Sequence, residues 1–293
     1  MQHNRRHRAV LRRRAITTLW MMTVLFLGSA VFGAISLASA MTNYEFGNEH
    51  YTNLRDVSKI TPRPTATPTP TPDPHIFQLF LASEAANATS TPAQTLTPMP
   101  YASPTPEPVN FKALAAINSD LIAWIRLPGT VIDYPVVQTN NNTRYLTQLF
   151  DGSSNQLGTL FMDYENKGRF QDQHILIYGH DMQDGSMFGS LKKYANAEYY
   201  KRHPEALILL PNGSIYKLEI FAAARMAAFR SELPVAFDSN DDFLAYVDKI
   251  RSLSAFTTDI QVQAGDHVVS LCTCVSDSSD YRFIVSGKLT LLG

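Results

Sequence analysis

Residues 206–226 read Ala206-Leu207-Ile208-Leu209-Leu210-Pro211-Asn212-Gly213-Ser214-Ile215-Tyr216-Lys217-Leu218-Glu219-Ile220-Phe221-Ala222-Ala223-Ala224-Arg225-Met226. Two apolar runs flank Pro-Asn-Gly, a tripeptide suited to a tight turn because asparagine and glycine tolerate positive φ. The spacing predicts an antiparallel hairpin of strands 206–210 and 214–226. Working outward, short apolar runs recur at 122–127, 132–137, 159–162, 174–178, 267–274 and 282–292. A short helix is predicted over 111–117. A second, over 240–251, rests on Phe243, Tyr246, Val247 and Ile250 at i, i+3, i+4, i+7. Ser239 and Asp242 are placed to form a capping box at its start. Many strands with few helices and no βαβ alternation predict a mainly β fold, a barrel or a sandwich.

Upstream of residue 110 the composition changes. Arg5, Arg6, Arg8, Arg12, Arg13 and Arg14 crowd the first 14 residues, with no acid among them. Residues 15–41 carry no charge and would span roughly 40 Å as a helix, more than the ~30 Å of a bilayer core. The positive-inside rule sets the arginines in the cytoplasm and the rest of the chain outside. A cleaved signal peptide ending near Ala38-Ser39-Ala40 is the competing reading, but the apolar stretch exceeds the usual signal core. Residues 61–108 hold 12 of the 17 prolines, including the Thr-Pro tract over 65–72. Proline fixes φ and removes a donor, so this segment reads as an extended, semi-rigid stalk, interrupted by an apolar stretch at 75–86. Four regions follow: a basic cytoplasmic N-terminus (1–14), a transmembrane anchor (15–41), a Pro/Thr-rich extracytoplasmic linker (42–109) and a globular domain (110–293). Beyond residue 14 the chain has 19 basic and 26 acidic side chains, which argues against a nucleic-acid partner.

The chain has two cysteines, Cys272 and Cys274. A bridge between residues two apart would be badly strained, and a disulfide framework is excluded. A thiol outside a disulfide is either a small packed residue or a nucleophile. His180 follows the apolar run 175–178 and a glycine, which places it in a loop at a strand end. Arg282 opens the last predicted strand, eight residues after Cys274. Cysteine, a histidine to move protons and an arginine to face a developing oxyanion could together run acyl transfer. Their spacing in sequence does not by itself bring them together.

Four blocks in order carry a family resemblance. They are Trp124-Ile125-Arg126-Leu127-Pro128-Gly129-Thr130-Val131-Ile132-Asp133-Tyr134-Pro135-Val136-Val137-Gln138, then Gly158-Thr159-Leu160-Phe161-Met162-Asp163, then Ile177-Tyr178-Gly179-His180-Asp181-Met182-Gln183-Asp184-Gly185-Ser186-Met187-Phe188-Gly189-Ser190-Leu191, then Leu271-Cys272-Thr273-Cys274 with Arg282 behind it. Over roughly 110–293 the chain resembles the class B sortases. The resemblance implies an eight-stranded sortase β-barrel with a few short helices, among them the helix at 240–251 before the cysteine strand. It implies a cysteine transpeptidase in which Cys274 attacks a sorting-signal carbonyl and forms a thioester. An amine from a cell-wall precursor or a pilin-like protein then resolves it. His180 carries over as general acid and base, and Arg282 as the group that stabilises the oxyanion or holds substrate. Asn142 and Thr273 carry over as substrate-binding positions, though Asn142 also reads as an ordinary loop asparagine. No cofactor and no metal is implied.

The sequence departs from the family at Cys272, where serine is usual, and at Ser270. Cys272 shares a strand face with Cys274 and reads as a packed residue, with a redox partner or weak ligand as alternatives. A zinc site is disfavoured because Cys-x₂₋₄-Cys spacing is absent. Trp124, Tyr199 and Tyr200 read as packing, His174 and His203 have no partner visible in sequence, and His267, on the cysteine strand, reads as a structural residue. A cysteine hydrolase on the same site and a silent binding module are the alternative functions.

Overall fold

The computed structural model describes residues 2–59, 107–168, 170–274 and 281–292. Eight strands form a closed barrel: β1 (Leu121–Arg126), β2 (Asp133–Val137), β3 (Leu160–Met162), β4 (His174–His180), β5 (Glu205–Leu209), β6 (Ile215–Ala227), β7 (His267–Cys274) and β8 (Tyr281–Leu291). Their order around the barrel is β1-β2-β3-β4-β7-β8-β6-β5, and β5 closes on β1. Closure leaves no open sheet edge.

The 206–226 hairpin forms as read. β5 and β6 pair antiparallel from Glu205 with Glu219 to Leu209 with Ile215. Gly213 takes φ +91°, a conformation glycine adopts without steric cost. The other strands lie within about two residues of the sequence expectation, with one consequence: β4 runs on to His180, which is the last residue of a strand and not a loop residue.

Among the described residues, four α-helices accompany the barrel. α2 (Phe111–Ile117) starts where Asn110 accepts from the Ala113 N–H, and α3 is Ala197–Arg202. α4 (Asn240–Ser252) buries Phe243, Tyr246, Val247 and Ile250, the stripe expected from their spacing. Ser239 accepts from the Asp242 N–H at 3.1 Å. The Asp242 carboxylate takes the Ser239 hydroxyl at 2.6 Å and not the Ser239 backbone, so the reciprocal half of the capping box is replaced by a side-chain contact.

α1 (Gln2–Ser58) is one unbroken helix. Its 57 residues extend about 85 Å. Its apolar part, from Trp20, is long and apolar enough to cross a membrane and is exposed to its surroundings. The helix does not stop at residue 41. Residues 42–58, expected as the beginning of the linker, stay helical and dock on the barrel through Tyr51 and Leu54, both buried. Asn155 Nδ2 donates to the Asn43 carbonyl at 2.7 Å, and Arg55 Nε donates to the Asp133 carbonyl at 3.1 Å. Beyond α1, Lys59 bridges Val109, and the Asn110 N–H donates to the Ser58 carbonyl at 2.8 Å. Residues 58–59 and 109–110, which flank the proline-rich segment, therefore meet at one place on the barrel. α1 carries the connection from the apolar span to the barrel. The Thr-Pro tract and the 75–86 stretch lie outside the described residues.

Trp124 lies at the centre of the core, fully buried, and its indole N–H donates to Asp133 Oδ1 at 2.5 Å. Tyr200 stacks on Phe256 at 4.1 Å between ring centroids, and Tyr199 packs edge-on against the buried Tyr194. All three aromatic residues read as packing do pack.

Candidate active site

β4 and β7 run parallel and in register, from His174 opposite Val268 to His180 opposite Cys274. Residues 94 apart in sequence are brought to adjacent positions on neighbouring strands because two distant apolar runs share one hydrogen-bond ladder. On the other side of β7, Cys272 pairs with Ile284 of antiparallel β8. Two residues further along these strands lie Cys274 and Arg282. Paired residues in a sheet face the same side, so His180, Cys274 and Arg282 form one row across three strands. Cys274 is placed here by its backbone. Asp277 and Asp280, which precede Arg282 in the sequence, lie outside the described residues.

His180 is half-buried, and its Nε2 lies 2.6 Å from the Leu146 carbonyl oxygen. A carbonyl can only accept, so Nε2 carries the proton and Nδ1 is the basic nitrogen. The carbonyl is delivered by a tight crossing of chain segments. Gly158, at φ +60°, passes against the imidazole, and a Cβ there would lie 3.1 Å from His180 Cδ2 and 2.8 Å from the Leu146 oxygen.

Arg282 is half-buried, with its Nη1 3.4 Å from the Thr273 carbonyl and its guanidinium carbon 5.6 Å from the centre of the Tyr178 ring. Tyr178 lies two residues before His180 on the same face and opposite Cys272. Its hydroxyl donates to the buried Asp163 at 3.0 Å. Burial, then the neighbouring Cys272 and Asp163, push the Tyr178 phenol up, so it stays a neutral donor. Tyr178 is a floor under the arginine that the sequence reading did not single out. Its adjacency to His180 in the 177–191 block was the available signal.

Asn142 and Thr273 are both engaged within the protein. Asn142 donates to Asp163 Oδ2 at 3.1 Å and accepts from the Tyr164 N–H at 3.0 Å, so it clamps the corner that holds Tyr178. Thr273 is buried, and its hydroxyl accepts from the Phe283 N–H at 3.0 Å. Cys272 is buried, with its Sγ 3.8 Å from the Thr273 carbonyl.

The other three histidines of residues 110–293 have partners in the fold. His203 Nδ1 lies 3.0 Å from the Pro128 carbonyl, and His267 Nδ1 lies 2.9 Å from that of Asp172. His174 is sealed at the far end of β4. Among the described residues, no group of three His, Cys, Asp or Glu side chains could hold a metal ion.

A sortase domain family model matches residues 125–290. Sortase B of Listeria monocytogenes is 33% identical over 180 residues, which is 60% of this chain and 72% of that protein. A Staphylococcus aureus sortase B–substrate complex superposes with a TM-score of 0.60 at 28% identity, covering 62% of this chain and 85% of that one. A sortase B from B. anthracis superposes with a TM-score of 0.56 at 36% identity, covering 61% and 83%.

Proposed function

The chain belongs to the sortase family, and within it to class B, whose members are cysteine transpeptidases; from that premise we propose that Cys274 is the nucleophile, His180 the proton carrier and Arg282 the oxyanion and substrate donor. The observation that carries this assignment is the parallel register that sets His180 opposite Cys274. The substrate is a sorting-signal peptide, as the substrate complex of the S. aureus relative supports.

The Cys274 thiolate adds to the scissile carbonyl, and the negative charge develops on the carbonyl oxygen. Arg282 offers planar donors to that charge, held in place by Tyr178 and the Thr273 carbonyl. His180, protonated on both nitrogens, gives the Nδ1 proton to the departing amine while Leu146 keeps its hold on Nε2. The C–N bond breaks and a thioester remains. An acceptor amine then attacks, Nδ1 takes its proton, and the C–S bond breaks to restore the thiolate. The acceptor is an amine of a cell-wall precursor or of a pilin-like protein. Asn142 and Thr273 act on substrate through the walls they build, Asn142 by fixing Asp163 and Thr273 by fixing β8.

Residues 1–14 stay in the cytoplasm, 15–41 span the cell membrane once, and the sortase domain over 110–293 works outside. α1 then sets the barrel close to the outer face of the membrane, since Met41 and the docked Tyr51 are only ten positions, about 15 Å of helix, apart.

Mass spectrometry of the intact chain mixed with a panel of sorting-signal peptides tests the assignment. Wild type should accumulate an acyl adduct on Cys274, released as a joined product when triglycine is added, and Cys274→Ala should form none. Release only to water with triglycine present would favour a hydrolase on the same site. An adduct on Cys272 would overturn the assignment.

A further inference from the structure

We propose that Tyr51, on the barrel-docked C-terminal part of α1, is a positioning residue for His180. The proposal rests on the reading of His180 as the proton carrier.

The Tyr51 side chain is buried against the barrel, with its ring edge-on to Tyr134 at 5.2 Å. Its hydroxyl donates to the Gly158 carbonyl and lies 3.1 Å from Thr159 Oγ1. A phenylalanine would fill the same space, so packing alone does not call for the oxygen. The Gly158 carbonyl and the Thr159 N–H belong to one planar peptide unit. That N–H donates to the Tyr145 carbonyl at 2.9 Å, and Thr159 Oγ1 donates to the Gln148 carbonyl at 2.8 Å. Residues 145–148 are thus fastened to 158–159 at two points. The carbonyl between them, that of Leu146, receives His180 Nε2. A Cβ at Gly158 would lie 3.1 Å from the imidazole, so the backbone there runs close to the ring.

One rigid peptide plane therefore joins Tyr51 to the segment that holds the histidine. Donation from Tyr51 fixes the tilt of that plane, and the plane fixes the Tyr145–Leu146 turn. Without the hydroxyl, the Gly158 carbonyl loses its partner in a buried place and the plane is free to turn. The Leu146 oxygen then no longer meets Nε2 squarely. Because α1 continues unbroken toward the apolar span, the seating of the anchor helix on the barrel becomes part of the catalytic geometry.

The test uses the full chain in detergent micelles. Turnover is measured with the peptide that acylates the enzyme in the assay above and with triglycine as acceptor. Tyr51→Phe should lower kcat about three- to tenfold, the effect of one hydrogen bond, with KM within about twofold. In histidine-labelled protein, the hydrogen-bonded Nε2–H resonance of His180 should weaken or move. Leu54→Ala serves as the control for a merely structural role, since Leu54 is buried in the same seat without a polar contact. Its melting temperature should fall further than that of Tyr51→Phe while its kcat falls less. Unchanged kcat with an unchanged His180 resonance in Tyr51→Phe would overturn the proposal. So would a kcat loss that tracks melting temperature across both variants. His180→Ala, run alongside, separates the two levels: full turnover there would remove the role of His180, whereas loss there with a normal Tyr51→Phe would remove only the role of Tyr51.

Discussion

β4 carries a histidine at each end, and the two have opposite surroundings. His174 and His180 are six residues apart on one strand face, and both lie beside β7. His174 is fully buried beneath Phe237 and Tyr246, the latter from α4. Both its ring nitrogens are engaged, Nδ1 with the Pro234 carbonyl at 2.5 Å and Nε2 with Ser270 Oγ at 2.9 Å. Ser270 in turn lies 2.7 Å from Ser286 Oγ. Burial holds the His174 imidazole down at a pKa of about 4, against the opposing pull of the Pro234 hydrogen bond and Asp163. His180 is half-open, with its Nε2 engaged by the Leu146 carbonyl. The same side chain on the same strand is a sealed structural part at one end and the proposed proton carrier at the other. Cover by α4 and the segment before it makes the difference. A histidine with both nitrogens engaged inside the protein has no site left to trade a proton with substrate.

The sharpest way to break this contrast is to remove each histidine in turn. His180→Ala should lower kcat/KM by about 10²–10⁴ with little change in melting temperature, the size of a lost general acid–base group. His174→Ala should do the reverse, leaving turnover per folded molecule near normal and lowering the melting temperature. Steady-state kinetics with thermal melts on both variants checks this, and a catalytic loss in His174→Ala at full folding would erase the distinction.

A smaller effect is expected at the third member of the row. Arg282→Lys keeps the charge but loses the planar donors, and should cost on the order of 10²–10³ in kcat/KM. Near-normal turnover in this variant would leave Arg282 as a surface cation resting on Tyr178.

Acid should find the sealed end of β4 first. In the unfolded chain His174 takes a proton below about pH 6.5, whereas in the fold it resists until about pH 4. The stability it allows is complete above pH 6.5 and drains away as pH falls toward 4, by about 3 kcal/mol in all. His50, also depressed by burial and only partly restored by Asp151, adds to the same slope. Urea unfolding at pH 7 and pH 4 should therefore show a pH difference smaller by about 3 kcal/mol in His174→Gln than in wild type. An identical difference in the two proteins would mean that His174 is reached by solvent.

The least effect is expected at Cys272, which shares the face but lies one step inside the row. Cys272→Ser should leave acyl-enzyme formation intact and shift stability by about 1 kcal/mol, the usual size for a single substitution. Loss of the adduct with the fold retained would bring Cys272 into the chemistry.

What the sequence determined by itself was whatever depends on near neighbours. The Pro-Asn-Gly turn, the alternation of strands, the buried stripe of α4 and its Ser239 cap are set by residues within a few positions of each other. The motif blocks named the family and marked Cys274, His180 and Arg282 as candidates. The tertiary structure alone decided what depends on distant partners. The pairing of β4 with β7 rests on a hydrogen-bond ladder between segments 94 residues apart, and no local pattern encodes a partner strand. His174 read as a histidine without a partner because Pro234 and Ser270 reach it only after the barrel closes. Tyr178 became the floor of Arg282 because β7 lies between them. Residues 42–58 read as linker because their apolar face is short. Tyr51 and Leu54 acquire meaning only against a barrel surface built from residues about 80 to 110 positions away. Burial and hydrogen-bond partnership are properties of neighbours in space, and for these residues the chain brings those neighbours together only on folding.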